Sequence, residues 1–357
     1  MNQASLPAFA SRLLAWYDRA GRQQLPWRHD ITAYRVWVSE IMLQQTQVST
    51  VIPYFERFVA AFPDVRALAD AEPDVVLHLW TGLGYYSRAR NLQRAAQILC
   101  AQHQGLVPTD MATLASLPGI GRSTAGAIAS IAGGQPAAIL DGNVKRVLAR
   151  HGAIPGWPGQ SDVGRALWTY AEQQVPPQRC GDYSQAIMDL GALLCRRGMP
   201  DCANCPVAAD CQARLDGTQA QFPGRKAPKV LPVRSVVMPL LTDPQGCVLL
   251  KRRPTVGVWA SLWSLPELTS GCDPVDFALE HGGRAPVRVT ALPALRHSFS
   301  HYHLDITPVR VRLTARPEGV AERDTLWYNP DSPAAVGLPA PILRLLTTAS
   351  SPEDPDR

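Results

Sequence analysis

No stretch of about 18 uninterrupted apolar residues, the length a helix needs to cross a bilayer, occurs anywhere in the chain. Met1 to Ala10 also lacks the basic start and apolar run of a secretory signal, so the expected compartment is the cytoplasm. No internal repeat is present, which excludes solenoid and propeller architectures. A strong excess of one charge is missing too. Lys and Arg number 35 against 30 Asp and Glu, and the net charge of +5 permits nucleic-acid binding without demanding it. With 46% hydrophobic and 18% charged residues, the chain is neither disordered nor collagen-like.

What is present is length and division. At roughly 150 residues per domain, 357 residues make two domains with room for a third. Residues 1–229 carry 22 basic and 17 acidic side chains, and residues 230–357 carry 13 of each, so the basic excess lies entirely in the first part. Up to about Gln221 apolar residues recur at helical spacing, around Trp16 and Tyr17 and over Val36–Met42, Val51–Phe62, Val75–Trp80, Arg88–Ala101, Ser123–Ala132 and Asn143–His151. Residues 222–234 read as a linker, because FPGRKAPKVLP holds three prolines and three basic residues. Residues 235–346 carry short β-branched runs, Ser235–Leu241, Cys247–Leu250, Val287–Thr290 and Leu304–Leu313, split by turn signals such as Asp243-Pro-Gln-Gly246, and predict an α+β domain. Residues 347–357 are small, polar and Pro-containing, and are expected to be a disordered tail.

Of eight cysteines, Cys195, Cys202, Cys205 and Cys211 fall within seventeen residues, spaced C-x6-C-x2-C-x5-C. Disulfides are not expected in a cytoplasmic chain, and four thiolates on one short loop can close around a metal centre. Tetrahedral zinc and a cubane iron–sulfur cluster both satisfy that donor set. Leu117-Pro-Gly-Ile-Gly121, followed by Arg122 to Gly126, joins two helices through a turn in which Gly119 and Gly121 can take positive φ. The next helix offers free N–H groups to a phosphate, although a plain helix–helix turn reads the same way. Asp141, in Ile139-Leu-Asp-Gly-Asn143, sits where a residue caps the following helix. Glu40 lies among Val36, Trp37, Ile41 and Leu43, where desolvation would raise its pKa and leave a more polar Asp141 ionised. A solvated helix face is the plainer reading of a lone Glu.

Together these segments resemble the helix-hairpin-helix DNA glycosylases that carry an iron–sulfur cluster, and within them the MutY-type adenine DNA glycosylases. The resemblance runs through Leu25-Pro-Trp-Arg28, Ser39-Glu-Ile-Met-Leu-Gln-Gln-Thr-Gln47, Leu79-Trp-Thr-Gly-Leu-Gly-Tyr-Tyr86 with Arg88–Asn91, the LPGIGRSTAGAI hairpin, LDGNVKRVLAR and the four-cysteine spacing. It implies a multidomain protein: an all-α helix-hairpin-helix glycosylase region with an iron–sulfur cluster lobe over residues 1–221, followed by a smaller α+β Nudix-like domain. The six-helix bundle would span about 30–134, and the lobe would combine 1–29 with 135–221. By resemblance, Glu40 is the general acid, Asp141 stabilises the oxocarbenium-like sugar, and Asn143 supports the site. Ser123 stands where related endonuclease III enzymes place a lysine nucleophile, which predicts a monofunctional enzyme, with Lys145 left to trap the abasic product at a low level.

The same resemblance assigns Gln44, Gln45, Thr46, Leu83 and Tyr85 to the wedge and its contacts with the opposite base, and Trp27 and Arg28 to the adenine pocket. The four cysteines would hold a [4Fe-4S] cluster, with Arg196 and Arg197 close to phosphate. Residues 235–346 resemble the family's Nudix-related C-terminal domain, carried by Arg252, Arg253, Gly257, Trp259, Trp263 and Leu265-Pro-Glu267. The glutamate-rich Nudix box is missing, since Asp276-Phe-Ala-Leu-Glu280-His-Gly-Gly holds one Glu, so recognition without nucleotide hydrolysis is expected. His297, Ser300 and His301 match the loop that contacts 8-oxoguanine, whereas a His-rich segment by itself suggests a strand edge or a metal site. The implied function is excision of adenine mispaired with 8-oxoguanine or guanine in double-stranded DNA. A thymine-directed sibling and a non-enzymatic DNA-binding module are the alternatives. A monomer associated with the nucleoid is expected, with the linker as a place for a repair or replication protein to dock.

Overall fold

The computed structural model describes residues 7–228, 230–268, 272–282, 288–316 and 324–349. The chain divides into two compact units, one made of Met1–Asp70 with Asn91–Pro228 and the other of Ala71–Arg90 with Lys229–Arg357. In chain order the helical part runs α1 (Ala8–Ala20), α2 (Ala33–Leu43), α3 (Val48–Ala61), α4 (Val65–Asp70), α5 (Pro73–Trp80), α6 (Ser87–Gln102), α7 (Met111–Ser116), α8 (Arg122–Ile131), α9 (Gly142–His151), α10 (Ser161–Gln174), α11 (Cys180–Leu193) and α12 (Gln212–Leu215).

Side-chain oxygens start several of these helices. Thr32 accepts from the Arg35 amide at 3.2 Å, Asp110 from Thr113 at 2.8 Å and Asp141 from Val144 at 2.7 Å, each satisfying a donor the first turn leaves open. Within the first unit α2 packs on α8, and α11 packs on α1, α8 and α9. Phe9, Leu13 and Leu14 of α1 share a core with Val144, Val147 and Leu148 of α9 and with Tyr183, Ile187 and Leu190 of α11. The N-terminal helix is therefore built into a core that is otherwise formed far along the sequence. Glycine is required where backbones touch: a Cβ at Gly126 would lie 2.3 Å from the Ala138 carbonyl oxygen, so α8 and the segment leading to Asp141 pass in direct contact.

The second unit holds β1 (Val233–Thr242), β2 (Val248–Arg252), β3 (Trp263–Ser264), α13 (Pro274–Gly282), β4 (Arg288–Ala291), β5 (Leu295–Ser298), β6 (His303–Arg312), β7 (Thr325–Tyr328) and α14 (Ala340–Ala349). The strand order is β3-β2-β1-β6-β4, with β5 also on β6 and β7 also on β2. Only β1 and β6 run parallel among the paired strands, from Val233 opposite His303 to Thr242 opposite Arg312. Asp243 turns β1 into β2, accepting from the Gln245 and Cys247 amides while Gly246 takes φ +82°. Leu241, Leu249, Ala278, Val311 and Leu313 form its core with α13.

Residues 71–90 join this unit through close contacts. The Tyr86 hydroxyl donates to the Leu338 carbonyl at 2.6 Å, and Arg90 donates to the Ala260 carbonyl at 2.6 Å. A Cβ at Gly337 would stand 2.5 Å from that of Leu77. The start of the linker is fastened to the first unit, where the Gly224 amide meets the Gly156 carbonyl and Arg150 reaches the Phe222 carbonyl. Of the expected tail, Thr347 to Ala349 complete α14 and residues 350–357 lie outside the described residues. Among the described residues no helix is long and apolar enough to cross a membrane.

Candidate active site

Glu40 sits on α2 between buried neighbours, with Val36, Trp37, Ser39, Ile41 and Met42 all packed away from solvent. Its carboxyl opens into a pocket lined by Arg22, Leu25, Trp27, Arg28, Gln185 and Met188, among others. Burial pushes its pKa up to about 8, the negative charge of Asp141 adds to that shift, and Arg28 opposes it. At neutral pH Glu40 is thus held in its protonated form. The solvated-face reading of this residue does not hold.

Asp141 caps α9 and is a buried acid at the same time. The sequence placed it in more polar surroundings than it has: burial raises its pKa, and the Val144 and Asn143 amides with the charges of Arg146 and Lys145 work against that. The N-terminus of α9, whose amides and dipole favour negative charge, is what opposes that rise. Asn143 accepts from Arg146 at 2.9 Å, and the same guanidinium holds the Gly191 and Cys195 carbonyls at 2.7 Å each. The Ser123 hydroxyl accepts the Leu140 amide at 2.9 Å, which ties α8 to the residue immediately before Asp141. In the hairpin only Gly119 needs its conformational freedom, with φ +80° and no room for a Cβ beside Asn91. Gly121 lies at φ −87° as the N-cap of α8, so the expectation of positive φ at both glycines is corrected.

Cys195, Cys202, Cys205 and Cys211 line one pocket together with Val147, Leu190 and other apolar side chains. Burial pushes the Cys205 thiol up to about 12, with the three neighbouring cysteines adding to the shift, and Cys211 is raised for the same reasons. Cys205 and Cys211 are thus poor thiolates until a cationic centre joins them, and four sulfurs lining one apolar pocket fit a metal–sulfur group. The Arg150 guanidinium donates to the Cys195 sulfur at 3.3 Å. Among the described residues no group of His, Cys, Asp and Glu side chains forms a single-ion site. Arg196 and Arg197 beside this loop are exposed.

The second unit carries a different kind of surface. The hairpin of β5 and β6 presents Phe299 to Tyr302 at its tip, closed by the Phe299 amide on the Tyr302 carbonyl. Trp259, His297 and Phe299 form an aromatic cluster, with His297 and Phe299 edge-to-face at 4.6 Å and Trp259 within 5.5 Å of both. They border an open cleft of about 500 Å³ that also takes in Leu83, Tyr85, Arg90, Ser300 and His301. Burial lowers the His297 pKa and Arg344 adds to it, which favours the neutral imidazole. Tyr85 is 51% exposed at φ +48°, whereas Leu83 is buried. Arg88 holds the loop between them by donating to the Leu83 and Gly84 carbonyls at 3.1 Å each. The remaining candidates of the wedge belong to the first unit: Gln44 donates to Thr124 at 3.3 Å, Gln45 is exposed at φ +58°, and Thr46 bonds back to the Gln44 carbonyl.

Two residues escaped the sequence reading. Gln185 and Asp189 sit one turn apart on α11, Gln185 in the pocket wall and Asp189 fully buried between Arg22 and Arg28. Their sequence signal was a Gln and an Asp inside the apolar run Ala186-Ile-Met-Asp-Leu190 and its approach.

The chain matches the model of the HhH-GPD superfamily base excision DNA repair proteins over residues 38–173, and that of the NUDIX domain over 237–348. It is 36% identical over 339 residues to the adenine DNA glycosylase of Buchnera aphidicola subsp. Acyrthosiphon pisum (strain APS), covering 95% of this chain and 96% of that one. The adenine DNA glycosylase of Mus musculus is 37% identical over 390 aligned positions, with 91% and 75% covered, and that of Homo sapiens is 47% identical over 228, with 61% and 42% covered. Among solved structures, a thermostable thymine-DNA glycosylase superposes with a TM-score of 0.53 at 27% identity, covering 58% of this chain and 95% of its own.

Proposed function

The chain belongs to the adenine DNA glycosylases of the HhH-GPD superfamily, DNA N-glycosylases of base excision repair, and from that premise we propose that it excises adenine opposite 8-oxoguanine, and opposite guanine less efficiently. The observation that carries the reading is the carboxyl pair, one acid driven up to about 8 and the other capping the start of α9, where the helix N-terminus favours its charged form. An adenine turned out of the duplex enters the pocket lined by Glu40, Trp27, Arg28 and Gln185. The Gln185 amide offers the donor and acceptor pair that reads an adenine edge. Glu40 gives its proton to the ring, the glycosidic bond breaks with its electron pair going to the base, and Asp141 stabilises the positive sugar until water adds at the anomeric carbon. Asn143 and Ser123 hold Asp141's segment in place.

Ser123 cannot form a Schiff base with the deoxyribose, so the enzyme is monofunctional, and Lys145 traps product only weakly. Gln44, Gln45, Thr46, Leu83 and Tyr85 fill the vacated stack, while His297, Ser300 and His301 read the opposite 8-oxoguanine. Cys195, Cys202, Cys205 and Cys211 would hold a [4Fe-4S] cluster, whose role would be to brace the loop that carries Arg196 and Arg197 for contact with the DNA backbone. Gly119 and Gly121 let the hairpin backbone approach a phosphate. The protein acts as a monomer on duplex DNA at the nucleoid, and the linker is where a repair or replication protein would dock. A thymine-directed glycosylase is the second reading, favoured by the superposition on the thymine enzyme. It is the weaker one, because the relatives that share both regions of the chain are adenine enzymes.

The test is single-turnover base release from a duplex with one adenine opposite 8-oxoguanine, with and without alkali, beside Glu40→Gln. Adenine release that needs alkali to reveal the break, and its loss in the variant, are expected. Tight binding without release of adenine would remove the reading.

A further inference from the structure

The pocket that holds Glu40 has a wall whose charge the reaction leaves unexplained. Arg22 and Arg28 both line it, two fixed cations beside an acid that must keep its proton. On α11, Asp189 is fully buried and receives five hydrogen bonds from them. The Arg22 amide donates at 2.9 Å, its Nε and Nη2 at 2.8 and 2.6 Å, and the Arg28 Nη1 and Nη2 at 2.8 and 2.9 Å. Burial alone would raise the Asp189 pKa, but the Arg28 and Arg22 contacts outweigh it and hold the carboxyl below its usual range. Arg22 is partly open to solvent, while the Arg28 side chain is 5% exposed, so Arg28 is the cation that needs a buried partner.

We infer that Asp189 is a positioning residue for base excision: its bidentate grip fixes Arg28 against the base pocket, and its charge cancels that of Arg28 where Glu40 must remain the acid. Both Arg28 Nη groups are committed to Asp189, and its buried Nε–H finds no acceptor among the described residues, which leaves that donor for the base. The charged groups facing Glu40 are Asp141 from the start of α9 and Arg28 and Arg22 from the segment after α1; Trp27, Ser39, Gln185 and Met188 are neutral. With Asp189 neutralised, Arg28 acts on Glu40 unopposed, and Glu40 gives up its proton at a lower pH.

This inference rests on Glu40 being the general acid, so two readouts are needed. In the full chain, Asp189→Asn is compared with wild type in the pH–rate profile of single-turnover adenine release, and in a ¹³C NMR titration of the glutamate carboxyls with Glu40 assigned through Glu40→Gln. The Glu40 midpoint is expected to fall by about one pH unit, with near-equal rates at pH 6 and a deficit of about tenfold above pH 9. Arg28→Gln should move the midpoint the opposite way, and the double variant should bring it back. A rate lowered by one factor at every pH, with the Glu40 midpoint unmoved, would overturn the inference. If Asp189→Asn does not fold, a midpoint that fails to rise in Arg28→Gln overturns it. Wild type that releases no adenine defeats the proposed function instead, and the titration still reads the coupling of Asp189 to Glu40.

Discussion

The carboxyl pocket of the first unit and the aromatic cleft of the second are built on opposite physical terms. The pocket is small and shifts its titratable groups, with Glu40 pushed up to about 8 and Asp189 held down by two guanidiniums. The cleft is open, takes up about 500 Å³, and offers ring faces and hydroxyls around a His297 whose neutral form is favoured. A general acid at neutral pH gains from desolvation, because burial helps to keep a carboxylic acid protonated there. Reading a base needs the reverse, since stacking and hydrogen bonding work through surfaces a nucleotide can reach. The two sites thus differ in their chemistry, one suited to moving a proton and the other to offering surfaces for stacking and hydrogen bonding.

Removing the acid breaks the comparison most sharply. Glu40→Gln should lower single-turnover adenine release by about a thousandfold or more, with DNA affinity in a gel-shift assay within a few-fold of wild type. A comparable loss of affinity would make Glu40 a binding residue. The next effect needs no mutation. Because the protonated form of Glu40 is the active one and its pKa is raised, the rate should fall about tenfold per pH unit above 8, and it should fall again on the acid side, where Asp141 takes up a proton at a higher pH than an ordinary aspartate. The preference for 8-oxoguanine over guanine should not change above pH 7, since burial lowers the His297 pKa from its ordinary value and favours the neutral imidazole there. A preference that follows the rate would show that the two sites titrate as one.

Phe299→Ala acts on the cleft alone. It removes the ring that contacts His297, Trp259 and Tyr302, and should reduce the 8-oxoguanine to guanine rate ratio by about tenfold, equivalent to ~1.4 kcal/mol of stacking. An unchanged ratio would move recognition elsewhere. The smallest effect is expected at Ser123→Ala, which deletes the acceptor of the Leu140 amide. One such hydrogen bond is worth about 1 kcal/mol, so a fall of about fivefold in the rate with little change in KM should be seen. Strand cleavage by wild-type protein without alkali would contradict the role given to Ser123 altogether.

Much of this was legible in advance because it is local. The alternation of apolar residues places α2, α3, α8 and α9 within a few residues of their observed ends, and β1, β2, β4 and β6 follow from their β-branched runs. Short elements such as β3 and β7, and α4 and α7, carry too few residues for a period to emerge. Glu40 among apolar neighbours foretold its raised pKa. The polar setting expected for Asp141 did not, because its burial comes from elements distant in sequence that pack over it.

The sequence by itself determined the residue chemistry: a Glu in an apolar helix, an Asp at a helix start, a serine in place of lysine, four clustered cysteines and an α+β region without a Nudix box. These are properties of composition and short spacing, which survive without any tertiary contact. Only the tertiary structure decided which charges meet. Arg22 and Arg28 precede Asp189 by some 160 residues and converge on it because α11 packs on α1. Residues 71–90 join the second unit because Gly337 leaves room for Leu77 and Tyr86 finds the Leu338 carbonyl. Desolvation, pairing and packing depend on what the rest of the chain brings alongside, and no stretch of sequence carries that information alone.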